Sequence, residues 1–138
     1  MIRKLLLIAA IASPTLAWAG EPARDSILAD YAAQVGKLDP AFREFSDKRG
    51  EALFRTKWAG GDSRTPSCTS CHTDNPRNPG QNAKTGRPID PVAVSVNATR
   101  FTNRDDVEKQ FVRDCKSVLG RACTALEKGD YITFMAGQ

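Results

Sequence analysis

Two cysteines and a histidine lie close together near the middle of the chain. They are Cys68, Cys71 and His72, in the string Cys-Thr-Ser-Cys-His, and His72 is the only histidine among the 138 residues. Cys-x-x-Cys-His is typical of covalent haem attachment, in which two thiols bond the vinyl groups of haem and the adjacent imidazole binds the iron as proximal ligand. The string therefore predicts one covalently attached haem c, held by these three residues.

Two other kinds of site use cysteines at this spacing. A Cys-x-x-Cys pair forms the redox disulfide of thioredoxin-like proteins, but no strand-helix-strand pattern surrounds this one. A zinc site would need the sequence neighbours Cys71 and His72 on one tetrahedral centre, which is an awkward arrangement. Both stay alternatives to haem attachment.

The sequence offers few side chains for the other face of a haem iron. Small electron-carrying cytochromes use a methionine or a second histidine there. Apart from Met1 the chain has only Met135, which falls on the apolar face of the predicted last helix and is expected in the core. We therefore expect the iron to be open, or closed by an unusual weak ligand.

A second pair of cysteines, Cys115 and Cys123, is separated by seven residues that include Gly120. A disulfide across a turn between the last two helices is feasible there. Closing so short a loop stabilises a fold by about 2–3 kcal/mol in the chain-entropy model. A functional alternative is that the redox state of the pair moves the group beside Cys115.

Apolar periodicity and capping residues predict helices joined by loops, without a convincing strand. The predicted helix starts are Ser26, Asp39 with Pro40, Ser46, Thr102 with Asp105, and Thr124 with Glu127. The first of these helices is expected to end at Gly36 and the third before Gly60. Gly50 inside a helix costs about 1 kcal/mol relative to alanine, which indicates close packing against another helix.

Residues 73–100 are rich in proline and glycine and show no helical period. Loops of this length are uncommon in compact domains unless they are functional or wrap around a group. We expect this loop to enclose the haem, with aromatic side chains such as Phe54, Trp58, Phe101 and Phe111 over the haem edge. Ordinary core packing is the alternative for each of these aromatics.

The N-terminal stretch has the features of an export signal. A short basic start precedes an apolar run over residues 5–12, and residues 17–19 give the small-x-small pattern of a cleavage site. The apolar run is interrupted at Ser13 and is too short to span a membrane. We therefore expect residues 1–19 to be removed and residues 20–138 to form one domain in the periplasm, where disulfides persist.

The charge balance gives little support to a nucleic-acid partner. The chain has 20 basic and 16 acidic residues, for a net charge of +4. Removal of Arg3 and Lys4 with the signal leaves 18 basic against 16 acidic residues, which is a charge of +2. An almost neutral domain lacks the electrostatic footprint of nucleic-acid binding.

From about Gly50 onward the chain resembles the sphaeroides haem protein group of class I cytochromes c. The matching strings are Gly50 to Phe54, Pro66 to His72, Thr85 to Arg87, Arg100 to Thr102, Val107 to Lys109 and Cys115 to Cys123. The resemblance implies an all-α, class I cytochrome c-like fold with a long central loop around one covalent haem, and a high-spin iron. It also implies a disulfide between Cys115 and Cys123 and a distal ligand immediately before the first of them.

Asp114 occupies that distal position. A carboxylate is a hard anionic donor, which favours ferric over ferrous iron and lowers the potential relative to methionine. We expect Asp114 to bind or lie over ferric iron and to dissociate on reduction, leaving a site for nitric oxide, oxygen or carbon monoxide. The alternative is that Asp114 is a surface charge. Lys116 is a further candidate ligand, and Arg113 is a candidate partner for a haem propionate.

The sequence thus favours a periplasmic monohaem cytochrome with a ligand-accessible iron, for electron transfer, binding of diatomic ligands, or both. The resemblance implies a redox partner that is a dihaem or membrane-bound cytochrome. A small haem enzyme, either a peroxidase or a nitric oxide-consuming protein, is an alternative, although no distal histidine is available to shuttle protons. A haem gas sensor is a third possibility.

Overall fold

The computed structural model describes residues 21–138, so the predicted export signal, residues 1–19, lies outside the described residues. In this part of the chain the elements are α1 (Glu21–Leu38), α2 (Asp47–Arg55), α3 (Thr69–His72), β1 (Gly80–Gln81), β2 (Pro88–Ile89), α4 (Arg104–Leu119) and α5 (Ala125–Ala136). The mostly helical architecture agrees with the prediction, and the antiparallel pair of β1 and β2 is a small addition to it. Across residues 21–138, no helix combines the length and the apolar character needed to cross a membrane.

The first helix extends beyond both of its predicted ends. Ser26 lies inside α1, and the helix continues through Gly36 to Leu38. Pro22 is tolerated in the first turn, where backbone N–H groups have no helical acceptor. Ile27 and Tyr31, four residues apart, are buried in the core, and packing of this face carries the helix past the glycine.

The prediction of a helix that starts at Asp39 and Pro40 is wrong, because the chain forms a turn there. Asp39 Oδ1 accepts a hydrogen bond from the Ala41 N–H at 2.9 Å, and the Asp39 carbonyl accepts one from Phe42 at 3.1 Å. These bonds close a local turn in place of a helical ladder. The next helix, α2, begins only after Ser46, whose Oγ accepts the Arg49 N–H as predicted for a cap.

Helices α2 and α5 approach each other closely at Gly50. A Cβ at this position would overlap the carbonyl oxygen of Asp130 and lie 2.8 Å from the Phe134 Cβ. Only glycine allows this approach, which confirms the close packing expected from the sequence. The helix ends at Arg55, short of the predicted end before Gly60.

Residues 73–100 contain no helix, as predicted, and hydrogen bonds order them. The Pro76 carbonyl accepts the N–H groups of Val92 and Ala93, each at 3.0 Å. Arg100 Nη2 donates to the Asp90 carbonyl at 2.8 Å. The buried Arg24 of α1 donates to the Arg100 carbonyl at 3.0 Å, so the first helix anchors the far end of the loop.

The two C-terminal helices begin at local caps. Thr124 and Glu127 form the predicted capping box, with the Thr124 N–H donating to Glu127 Oε2 at 2.8 Å. The cap of α4 is Asn103, one residue after the predicted Thr102. Asn103 Oδ1 accepts the Asp106 N–H at 3.1 Å, while the Thr102 hydroxyl donates to the Thr99 carbonyl at 2.7 Å.

A disulfide joins the end of α4 to the start of α5. Cys115 and Cys123 are bonded, with Cα atoms 5.6 Å apart, as the resemblance implied. Gly120 ends α4 with a φ of 75°, a left-handed conformation that favours glycine. The chain therefore reverses within a few residues, which holds both helices against the same cavity.

Candidate functional site

A cavity of about 860 Å³ lies between α3, the β1–β2 hairpin, α4 and α5. Its wall includes Cys68, Cys71, His72 and Asp114. The fold thus brings together the residues predicted to attach haem and the residue predicted at its distal face. The volume is in the range of pockets that enclose a large organic ligand.

The short helix α3 presents the three attachment residues to this cavity. The His72 N–H donates to the Cys68 carbonyl at 3.1 Å, so the string forms a helical turn. Positions separated by three and four residues share one face of a helix, which explains why all three side chains line the same wall. Cys68 and Cys71 are free thiols, so the redox disulfide considered from the sequence is not formed.

The β1–β2 hairpin covers α3 from one side. A Cβ at Gly80 would overlap the Cys71 carbonyl and lie 3.1 Å from the Cα of His72. Lys84, near the hairpin tip, reaches across to Asp62 Oδ2 and Ser117 Oγ, each at 3.0 Å. The hairpin is therefore fastened at both ends and fixes one wall of the cavity.

Burial sets the charge state of the attachment residues. It raises the pKa of the Cys68 thiol to about 12, and the charge of Asp114 adds to this effect. Burial also lowers the pKa of His72, although the nearby Asp114 opposes the shift. At neutral pH His72 is therefore an uncharged imidazole, which is the form that binds a metal.

Asp114 lines the cavity from α4, and its side chain is 46% exposed. The neighbouring Arg113 donates to both of its oxygens, from Nε at 2.7 Å and from Nη2 at 3.1 Å. Arg113 and Lys116 line the same cavity. The structure thus brings to one cavity all three residues that the sequence suggested as distal ligands or as partners of a haem propionate.

Of the four aromatics expected over the haem edge, Phe101 and Phe111 line the cavity and the other two do not. Phe54 is fully buried between α2 and α5, and the Trp58 indole donates to the Leu53 carbonyl at 3.4 Å. Neither residue contributes to the cavity wall, so ordinary core packing, the alternative given for each aromatic, holds for Phe54 and Trp58.

Sequence analysis also missed residues of the wall. Tyr131 of α5 lines the cavity, whereas apolar periodicity indicates only that it lies on the apolar face of the last helix. Arg100 and Gln110 line it as well, and no local motif distinguishes them. Met135, on the same helix as Tyr131, is 0% exposed and does not line the cavity, so its assignment to the core is confirmed.

The residues present fit a haem. Within residues 21–138 no cluster of three or more His, Cys, Asp and Glu side chains could hold a bare metal ion. One imidazole beside two thiols instead suits an iron whose other ligands come with a porphyrin. The charged side chains on the wall also suit the two carboxylates of haem, because cations outnumber anions: Lys84, Arg87, Arg100, Arg113 and Lys116 against Asp62, Asp90 and Asp114.

Comparison with known sequences gives the same picture. The family described as Domain of unknown function (DUF1924) matches residues 40–135. Cytochrome c-type protein SHP of Cereibacter sphaeroides is 43% identical over 138 residues, with full coverage of both chains. Cytochrome c'' of Methylophilus methylotrophus is 33% identical over 111 residues, which cover 80% of this chain and 77% of the relative.

Solved structures share the fold. Oxidized SHP, described as an oxygen binding cytochrome c, matches with a TM-score of 0.76 at 39% identity, over 83% of this chain and 96% of that one. The crystal structure of oxidized cytochrome c'' from Methylophilus methylotrophus matches with a TM-score of 0.71 at 30% identity, over 85% and 95%. Its solution structure, described in terms of haem-ligand detachment, matches at 0.71 and 32% identity, over 83% and 93%. With these relatives, and with a cavity built around a Cys-x-x-Cys-His turn, the chain belongs to the SHP family of c-type cytochromes, which carry covalently attached haem c.

Proposed function

We propose that this protein is an exported monohaem cytochrome whose iron is accessible to diatomic ligands such as oxygen or nitric oxide, and which exchanges electrons with a second cytochrome. One observation carries the proposal: within residues 21–138, the cavity wall holds one imidazole, His72, and no methionine. The strong ligands that close the iron of ordinary electron carriers are therefore absent from this wall.

Cys68 and Cys71 are assigned to covalent attachment, and His72 to the proximal position. Their helical turn and their free thiols support this assignment. Bound in this way, haem c supplies an iron that cycles between two oxidation states and takes a small ligand on its open face. The protein's part is to hold the imidazole neutral and to keep bulk water from most of the cavity.

Asp114 is assigned to the distal face in the oxidised protein. A carboxylate prefers the ferric ion, and the two hydrogen bonds from Arg113 withdraw charge from it and weaken it as a donor. Such a ligand is easily displaced, particularly after reduction. The solved relatives support the idea, since SHP is described as oxygen binding and cytochrome c'' in terms of haem-ligand detachment.

Export to the periplasm and a cytochrome as redox partner complete the proposal. Residues 1–19 have the pattern of a cleaved signal, and haem is attached to c-type cytochromes outside the cytosol. The partner is a dihaem or membrane-bound cytochrome, as the family resemblance implies.

Intact mass and absorption spectra test the core of this proposal. Expressed in a host that matures c-type cytochromes, the periplasmic product should have the mass of residues 20–138 plus one haem, with a c-type pyridine haemochrome. Its ferric spectrum should be high-spin. A low-spin ferric spectrum with a methionine charge-transfer band would refute the open iron, and a product without haem would refute the whole assignment.

Replacing Asp114 tests its role. Asp114→Ala should change the ferric spectrum and raise the affinity for an external ligand such as azide about tenfold, the effect of removing an internal competitor favoured by ~1.4 kcal/mol. Asp114→His should give a low-spin ferric iron that binds azide poorly, because imidazole is a strong ligand. Asp105→Ala, on the same helix, should behave as wild type. Unchanged spectra for Asp114→Ala would place this residue on the surface.

A further inference from the structure

Tyr131 on α5 is a mostly buried residue, 8% exposed, and no hydrogen bond joins its hydroxyl to any of residues 21–138. The other tyrosine, Tyr31, is also buried, and its hydroxyl donates to the Glu108 carboxylate. A tyrosine hydroxyl in such surroundings usually has a partner, so a group that fills the space beside it should accept its hydrogen bond.

The free hydroxyl of Tyr131 faces the central cavity. In the described part of the chain, no fully enclosed side-chain oxygen or nitrogen lacks a hydrogen bond, so this hydroxyl must border open volume. Tyr131 lines the cavity, and its ring is held by edge contacts with Phe101 and Phe111, with centroids 6.1 and 5.7 Å away. The two ring contacts fix the position of Tyr131 in the cavity wall.

The ring contacts also place Tyr131 next to the distal helix. Phe111 lies three residues before Asp114 on α4, one helical turn away. Burial raises the pKa of Tyr131, and the nearby Cys68 and then Asp114 add to this effect. The hydroxyl therefore stays protonated at neutral pH and can donate a hydrogen bond within the part of the cavity that α4 borders.

We propose that Tyr131 is the hydrogen-bond donor that recognises a diatomic ligand in the cavity and favours dioxygen over carbon monoxide. This inference rests on the proposed function, because it needs an iron open to such ligands. A phenolic donor stabilises a ligand that accumulates negative charge, as dioxygen does, and has little effect on carbon monoxide, which accumulates little. It also gives the unpartnered hydroxyl a partner when the ligand binds.

Tyr131→Phe tests the inference, since it removes the hydroxyl and keeps the ring contacts. In the ferrous holoprotein the dioxygen dissociation rate should rise about tenfold, while the carbon monoxide dissociation rate changes less than twofold. The C–O stretching frequency of the carbon monoxide complex should rise as well, because a nearby donor lowers it. A purely structural role for the hydroxyl would not move this frequency.

Tyr31→Phe is the matched control, as it removes the hydroxyl of a buried tyrosine that donates to Glu108 and does not line the cavity. It should leave both gas dissociation rates and the C–O frequency as in wild type. If Tyr131→Phe keeps the wild-type ratio of the two rates and the wild-type frequency, the inference about Tyr131 is overturned. The proposal of an iron open to ligands would still stand. A wild-type protein that binds neither gas overturns the proposed function and this inference together.

Discussion

Two glycines inside helices lie in opposite surroundings, one in tight packing and one in open space, so the same substitution to alanine should have opposite effects on stability. At Gly50 an added Cβ would overlap the Asp130 carbonyl, whereas at Gly36, in α1, it would meet nothing within 4 Å. Gly50→Ala should therefore destabilise the fold by about 3 kcal/mol, because α2 and α5 must separate. Gly36→Ala should stabilise it by about 0.5–1 kcal/mol, because alanine loses less backbone entropy in a helix.

Urea unfolding of the two holoprotein variants, followed by circular dichroism, measures both effects against wild type. The variants share the same chemical change, so the sign of the difference depends only on what surrounds each glycine. Equal effects of Gly50→Ala and Gly36→Ala would show that the α2–α5 approach is not tight in solution.

At the scale of elements, one polar cluster joins three helices. Glu108 of α4 accepts hydrogen bonds from Tyr31 of α1 and from Lys128 of α5, the latter at 2.7 Å. Burial alone would raise the pKa of Glu108, but the hydrogen bonds from Lys128 and Tyr31 outweigh it, and the pKa lies below its usual value of 4.5. The ionised carboxylate is therefore a tether for the N-terminal helix.

The lowered pKa predicts how this tether responds to acid. A carboxylate with a depressed pKa in the folded state stabilises the fold above pH 4.5, and this contribution is lost as the pH falls through the folded-state pKa. Glu108→Gln should cost about 1 kcal/mol at pH 7. The difference from wild type should shrink in unfolding experiments as the pH is lowered below 4.5.

Glu51→Gln supplies the comparison for this prediction. Glu51 pairs with Arg55 on the surface of α2, at 2.8 Å with both side chains more than 40% exposed. Exposed pairs of this kind contribute little, so the variant should unfold as wild type at every pH. A constant difference between Glu108→Gln and wild type from pH 7 to pH 3 would contradict the assigned role of ionised Glu108.

At the scale of the whole molecule, the features that the sequence predicts correctly are those that depend on residues close together in the chain. The attachment turn occupies five consecutive residues, and the caps at Ser46 and Thr124 satisfy backbone groups within three residues. Gly50 is readable too, because a glycine costs stability inside a helix unless packing requires it.

The parts that sequence reasoning got wrong depend on distant partners. Asp39 looks like a helix cap, yet its carboxylate closes a turn, and packing of α1 against α5 overrides the stop at Gly36. Periodicity places Phe54 and Tyr131 alike on buried faces. Only the crossing of α2 and α5 decides that Tyr131 meets the cavity while Phe54 does not.

The size of the cavity makes the whole fold dependent on its ligand. The wall of this space of about 860 Å³ includes apolar side chains such as Leu53, Val92 and Phe111, which are exposed to water when nothing fills it, and such exposure costs stability. The whole stability of a domain is only about 5–15 kcal/mol. The chain without haem should therefore collapse or unfold rather than keep this volume.

Replacement of both attachment residues, Cys68→Ser with Cys71→Ser, tests this dependence. The product should lose near-ultraviolet circular dichroism and cooperative unfolding, retain only part of the helical signal, and bind a hydrophobic dye, as expected of a collapsed state.

The double variant of Cys115 and Cys123 to serine also removes two cysteine side chains but leaves the attachment turn intact. It should keep its haem spectrum and lose about 2–3 kcal/mol of stability. Cooperative unfolding of the haem-free chain would mean that α1, α2, α4 and α5 fold without the group that their cavity encloses.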